Sequence, residues 1–70
     1  MNTAARIKQL RLEKLGLKQR EFADKLGVQS ITVSRWERGV TTPSDLHRVL
    51  LARLGGGHPN DYLGDEDVAA

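Results

Sequence analysis

Gln19-Arg20-Glu21-Phe22-Ala23-Asp24-Lys25-Leu26-Gly27-Val28, running on as Gln29-Ser30-Ile31-Thr32-Val33-Ser34-Arg35-Trp36-Glu37-Arg38, is the stretch whose residue types decide the fold. It reads as two short helices that cross steeply through a turn of three or four residues. A close crossing needs a small residue on the first of them, and Ala23 is one. The turn needs a residue that takes a positive φ at low cost, and Gly27 stands there. The wedge between the two helices must be apolar, and Phe22, Leu26, Val28, Val33 and Trp36 fall at spacings that face it. Gly39 then follows where a helix stop is expected.

Outward from this pair, the pattern stays helical. A first helix is expected from Asn2 or Thr3, either able to cap it, to Gly16, with Ile7 and Leu10 facing inward. A last helix has Thr42 as its cap, Pro43 at its first position and Asp45 in its first turn, followed by Leu46, Val49, Leu50 and Leu54 at helical spacing. Gly55-Gly56-Gly57 ends it. Pro59 to Leu63 supply a further helical turn, and no alternation suits a strand. The expectation is an all-α bundle of four to five compact helices, a domain over residues 1–63 with a flexible acidic tail at 64–70.

Composition limits what such a chain does. Seventy residues make one domain, and with no cysteine there is neither a disulfide nor a thiolate metal site. His47 and His58 are the only histidines and lack partners at ligand spacing, so no metal and no cofactor are expected. A catalytic triad would need a pocket that this length does not build, so the chain is not expected to be an enzyme. Neither a secretory apolar run nor a membrane-spanning stretch is present, which points to the cytoplasm. All eleven Lys and Arg lie in residues 1–54 against five acids, whereas residues 55–70 carry four acids and no Lys or Arg. A basic body with an acidic tail fits a nucleic-acid binder; an ordinary charged surface with a frayed terminus fits equally well.

The central stretch resembles the helix-turn-helix of the phage Cro and repressor proteins, the Xre family. That family favours a Gln opening the second helix, Ala-x-x-x-Gly across the turn and Ser-x-Trp-Glu-x-Gly closing the third. Those positions are Gln19, Ala23 to Gly27, and Ser34 to Gly39 here. The likeness covers about residues 4–54. Three places depart from it: Lys18 and Gln29 stand where Ser or Thr would cap, with Ser30 a substitute cap one residue on, and Leu15-Gly16-Leu17 is one residue longer than the common link.

The resemblance implies a DNA-binding regulator that inserts its third helix into the major groove of double-stranded DNA. It places Ser30, Ile31 and Arg35 at base-contacting positions, with Ser34 beside them. Arg donates in pairs to guanine, Ser pairs with several base edges, and Ile packs on a thymine methyl. On a helical wheel these residues and Arg38 lie opposite Val33 and Trp36; a solvated face with one stray Ile is the plainer reading. Gln19, Lys18, Gln29, Thr32, Arg38, Thr41 and Thr42 are the expected phosphate contacts. Phe22, Ala23, Gly27 and Trp36 are structural, and so is a pair between Arg11 and Glu37 that the family often has.

One recognition helix reads too few base pairs for selective binding, so a homodimer on an inverted-repeat operator is expected, most simply as a repressor. Leu12, Leu51, Leu54, Tyr62 and Leu63 are candidates for its surface, although Tyr62 and Leu63 equally suit the core. No small-molecule effector and no membrane partner are expected. The alternative is an antitoxin-like or adaptor module that keeps the fold for protein contacts.

Overall fold

A computed structural model describes residues 2–63 of the chain. It is all-helical, and among the described residues there is no strand. Helix α1 spans Thr3–Gln9, α2 Gln19–Leu26, α3 Ser30–Glu37 and α4 Asp45–Gly55, with a closing 3₁₀ turn at Pro59–Tyr62. Residues 64–70, assigned above to an acidic tail, lie outside the described residues.

Asn2 caps α1, its side-chain oxygen accepting from Ala5 N–H at 2.8 Å. The first helix does not run to Gly16 as an α-helix. From Leu10 to Lys14 it is wound as a π-helix, marked by the Leu15 N–H to Leu10 carbonyl bond at 3.0 Å. This wider turn takes up one residue. The Leu15–Leu17 link follows it, and α2 begins at Gln19.

The core is built from one face of every helix: Ile7, Leu10, Phe22, Ala23, Leu26, Val33, Trp36, Leu51, Ala52 and Tyr62. Phe22, Ile7, Leu51 and Val33 are sealed from solvent, each burial worth about 1.5–3 kcal/mol. With no disulfide, this cluster and the ties between helices hold the fold.

Helix α4 corrects two expectations. Its cap is Ser44, not Thr42, and the helix starts at Asp45. Pro43 lies one residue before that cap, buried and outside the helix. Ser44, extended at φ −69° and ψ 170°, then accepts from His47 N–H. Of the expected face, Leu50 and Leu54 pack half-buried against the core, but its first half does not. Leu51 is sealed, whereas Leu46 is 64% and Val49 37% exposed. Gly55 lets the final turn pack close. A Cβ on Gly55 would stand 2.9 Å from the Tyr62 hydroxyl and 3.3 Å from a Leu10 methyl. Tyr62 is thus a core residue, and neither it nor Leu51 is available as a dimer surface.

The 3₁₀ turn is held by reciprocal caps: His58 Nδ1 accepts from Asn60 N–H, and Asp61 accepts from His58 N–H, both at 3.1 Å. Beyond it, the Thr3 hydroxyl donates to the Leu63 carbonyl and joins the two ends of the described chain.

Candidate nucleic-acid interface

The geometry of the site begins at the α2–α3 turn. Gly27 adopts φ 71° and ψ 28°, the left-handed region where a side chain is disfavoured. Its N–H returns to the Asp24 carbonyl, and Val28 N–H to that of Ala23, so α2 stops within one residue. Ala23 is 1% exposed where α2 and α3 meet, and Phe22, Leu26, Val33 and Trp36 fill the wedge. Val28 packs against this cluster half-buried. The ring of Trp36 also meets His47 of α4, centroids 5.6 Å apart.

With Val33 and Trp36 buried, the rest of α3 is turned outward. Ser30, Ile31, Arg35 and Arg38 are exposed and Ser34 and Thr32 half-buried. Ile31 is 45% exposed, a large aliphatic side chain left between Ser30 and the two arginines. At 100° per residue Ser34, Arg38, Ile31 and Arg35 occupy one arc of about 100°, with Ser30 at its edge and Thr32 off it. Arg38 caps α3 and reaches back from Nε to the Ser34 carbonyl at 3.4 Å, a cation at the negative end of the helix. Thr41 and Thr42 are exposed in the following loop.

Gln29 is the residue that caps α3, by extended backbone and without a side-chain bond, so Ser30 is the first helical residue and not a displaced cap. Lys18 likewise caps α2 through its backbone alone. What repairs that end is Glu21, whose carboxylate accepts from Lys18 N–H at 2.9 Å. Sequence reasoning missed Glu21, although a Glu three residues past a helix cap is the second half of a capping box. Its negative charge balances Lys18 at the N-terminus of α2.

Behind this surface, the side chains of Arg11, Gln19 and Glu37 form one network. Arg11 donates from Nε to Glu37 Oε2 at 2.6 Å and from Nη2 to Oε1 at 2.9 Å. Its Nη1 donates to the Leu17 carbonyl at 3.0 Å, and Leu17 N–H donates to the Arg11 carbonyl at 2.9 Å. Gln19 Nε2 donates to Glu37 Oε1 at 3.2 Å. The hydrogen bonds it donates to Glu37 hold the Arg11 guanidinium pKa above its ordinary value, against the opposing effect of burial. The network therefore fixes Gln19, the first residue of α2, to the last residue of α3.

The sequence matches the helix-turn-helix family over residues 7–61. The fold superposes on the P22 c2 repressor in complex with synthetic operator 9T in the presence of Tl⁺. That match has a TM-score of 0.77 at 27% identity and covers 90% of this chain and 94% of the repressor chain. The DNA-binding domain of the P22 c2 repressor in solution superposes with a TM-score of 0.74 at 26% identity, covering 94% and 86% respectively. The Type II methyltransferase M.SsoII of Shigella sonnei is 50% identical over 46 residues. The match takes in 61% of this chain but spans only 12% of that methyltransferase.

Proposed function

This chain belongs to the helix-turn-helix family and is a DNA-binding regulator of the phage-repressor type, and from that premise we propose that it represses transcription by seating α3 in the major groove of a specific duplex site. The observation that carries the proposal is the outward face of α3, with Ile31 45% exposed between Ser30 and the exposed Arg35 and Arg38. Left in water, that side chain gains nothing from burial. Against a groove, Ile31 meets a thymine methyl, Arg35 donates twice to a guanine, and Ser30 and Ser34 reach adjacent base edges.

The phosphate contacts flank this face. Gln19 is aligned for one by its bond to Glu37: one Nε2 hydrogen goes to the carboxylate, and the second is left to donate to a phosphate oxygen. Lys18, Gln29, Thr32, Arg38, Thr41 and Thr42 complete the backbone contacts in this reading. Two copies on an inverted repeat set their α3 helices about 34–36 Å apart, one helical turn of DNA. The likeness to the methyltransferase is read as one of binding module, since it is confined to a stretch the size of one small helical domain, and no catalysis is assigned to this chain. No described helix is long and apolar enough to cross a membrane.

Selection of bound sequences from a random duplex pool tests the proposal. Convergence on a two-fold site, with affinity falling steeply as salt rises, is the expected result. A chain that shifts no duplex at low salt would instead be a protein-interaction module, of adaptor or antitoxin type.

A further inference from the structure

A cleft of about 380 Å³ opens where the first helix, the end of α4 and the 3₁₀ turn meet. Its size suits a small molecule, and no residue of α2 or α3 lines it. One wall is a single face of the first helix, where Arg6, Gln9, Leu10 and Glu13 follow at helical spacing. The buried Leu10 and Tyr62 form its base beside Gly55, where no side chain intrudes. Tyr62 is 6% exposed, yet its hydroxyl has no hydrogen-bond partner among the described residues. No sealed side-chain polar atom among those residues lacks a partner, so this hydroxyl reaches the cleft. A phenol held this way is satisfied only by what enters the cleft.

The cleft carries charge at both ends. Arg6 and Asp61 lie close enough to the Tyr62 hydroxyl to act on its ionisation in opposite senses. Glu13 stands seven residues on from Arg6, roughly 10 Å along the helix. Arg6 and Glu13 are exposed and form no ion pair among the described residues. Lys14 also lines the cleft, but it donates to the Gly55 carbonyl at 2.6 Å. Its charge is matched there by the negative end of α4, and Glu13 is the unmatched charge at that end.

We propose that this cleft binds a free basic amino acid, lysine or arginine, laid along the first helix. The α-carboxylate sits against the Arg6 guanidinium and accepts from the Tyr62 hydroxyl, while the α-ammonium faces Asp61. The aliphatic stem lies over Leu10 and Tyr62, and the cation at its far end meets Glu13. The order of charges selects this class of ligand. An acidic amino acid would set its second carboxylate against Glu13, an aliphatic one would leave Glu13 unmatched, and a diamine has no carboxylate for Arg6. The site departs from the expectation of no small-molecule effector, and it stands independently of the operator reading.

Calorimetric titration of the full chain with L-lysine and L-arginine tests the site. One-to-one binding is expected, with a melting temperature that rises with ligand concentration, since only the folded chain holds the cleft. Norleucine lacks the far cation, cadaverine the carboxylate and Nα-acetyllysine the α-ammonium, and each should bind about tenfold or more weakly than lysine. Glu13→Gln and Arg6→Gln should each lose about as much affinity for lysine. The melting curves of both variants without ligand should stay unchanged, because both side chains are exposed. Glu13→Gln should bind norleucine as the wild type does, which assigns the far cation to Glu13.

Absence of saturable binding by both amino acids would overturn the proposal. Equal affinity for lysine and norleucine, or a Glu13→Gln chain that binds lysine as the wild type does, would overturn it too. Arg35→Ala, expected to weaken DNA binding, should keep the full affinity for lysine. Lysine binding by a chain that shifts no duplex would uphold the site and remove the operator reading alone.

Discussion

Arg11 and Glu37, 26 positions apart in sequence, meet in a two-pronged ion pair that is almost wholly shielded from solvent, their side chains 9% and 4% exposed. The pair spans from the π-wound end of the first helix to the last residue of α3. It also holds the linker through Leu17 and the start of α2 through Gln19. Four parts of the chain are therefore fixed to one carboxylate and one guanidinium, and the α2–α3 pair is clamped at the end away from its turn.

Removal of one partner is expected to be costly. Arg11→Ala leaves the Glu37 carboxylate buried with only Gln19 to satisfy it, a loss of about 3–5 kcal/mol. Glu37→Gln keeps an acceptor for Arg11 and should cost less. Urea unfolding of both variants checks the order, and equal losses would show that charge is not what the site requires.

Two glycines should fail for different reasons. Gly27→Ala places a Cβ in open space but at φ 71°, so it should cost about 1–2 kcal/mol from the backbone alone. Gly55→Ala collides with the Tyr62 hydroxyl and Leu10, an overpacking loss of about 1–3 kcal/mol. Thermal melts of the double variant Gly55→Ala with Tyr62→Phe should recover part of the second loss, since the closest contact is removed. Tyr62→Phe should leave the Gly27→Ala loss unchanged.

In DNA binding, Arg35→Ala is expected to cost about 1–3 kcal/mol and to relax preference at one base position of the selected site. Gln19→Ala should weaken all sequences alike, as loss of a phosphate contact does. Titration against the selected site and single-base variants separates the two. A uniform loss from Arg35→Ala would move that residue from the base contacts to the phosphate contacts.

Tyr62 links stability to alkaline pH. Burial, followed by the nearby Asp61 charge, raises its phenol pKa above the ordinary value of 10.0, with Arg6 opposing. The folded state thus holds this proton after the unfolded state has begun to lose it. The contribution is complete below pH 10 and is lost as pH rises through the folded-state pKa. Tyr62 is the only tyrosine, so its ultraviolet titration gives the midpoint directly, and it should lie above that of a free phenol. Tyr62→Phe should remove this part of the alkaline decline in melting temperature.

The sequence by itself determined the pieces whose requirements are local. Ala23, Gly27 and the apolar residues around them specify a steep two-helix crossing because each satisfies a short-range steric or conformational demand. Burying Val33 and Trp36 then leaves Ile31 and Arg35 facing outward through helical periodicity alone. Periodicity was half right on α4: of Leu46, Val49, Leu50 and Leu54, the last two pack against the core and the first two face solvent. Only the tertiary structure decided this, because Gly55 admits the close approach of the final turn to Tyr62 and Leu10, and Leu51 and Ala52 are buried with it. The π-wound segment is of the same kind: nothing local in Leu10 to Lys14 asks for it. It places Arg11 where one guanidinium reaches both Leu17 and Glu37, and the Glu37 contact exists only once α3 is in position.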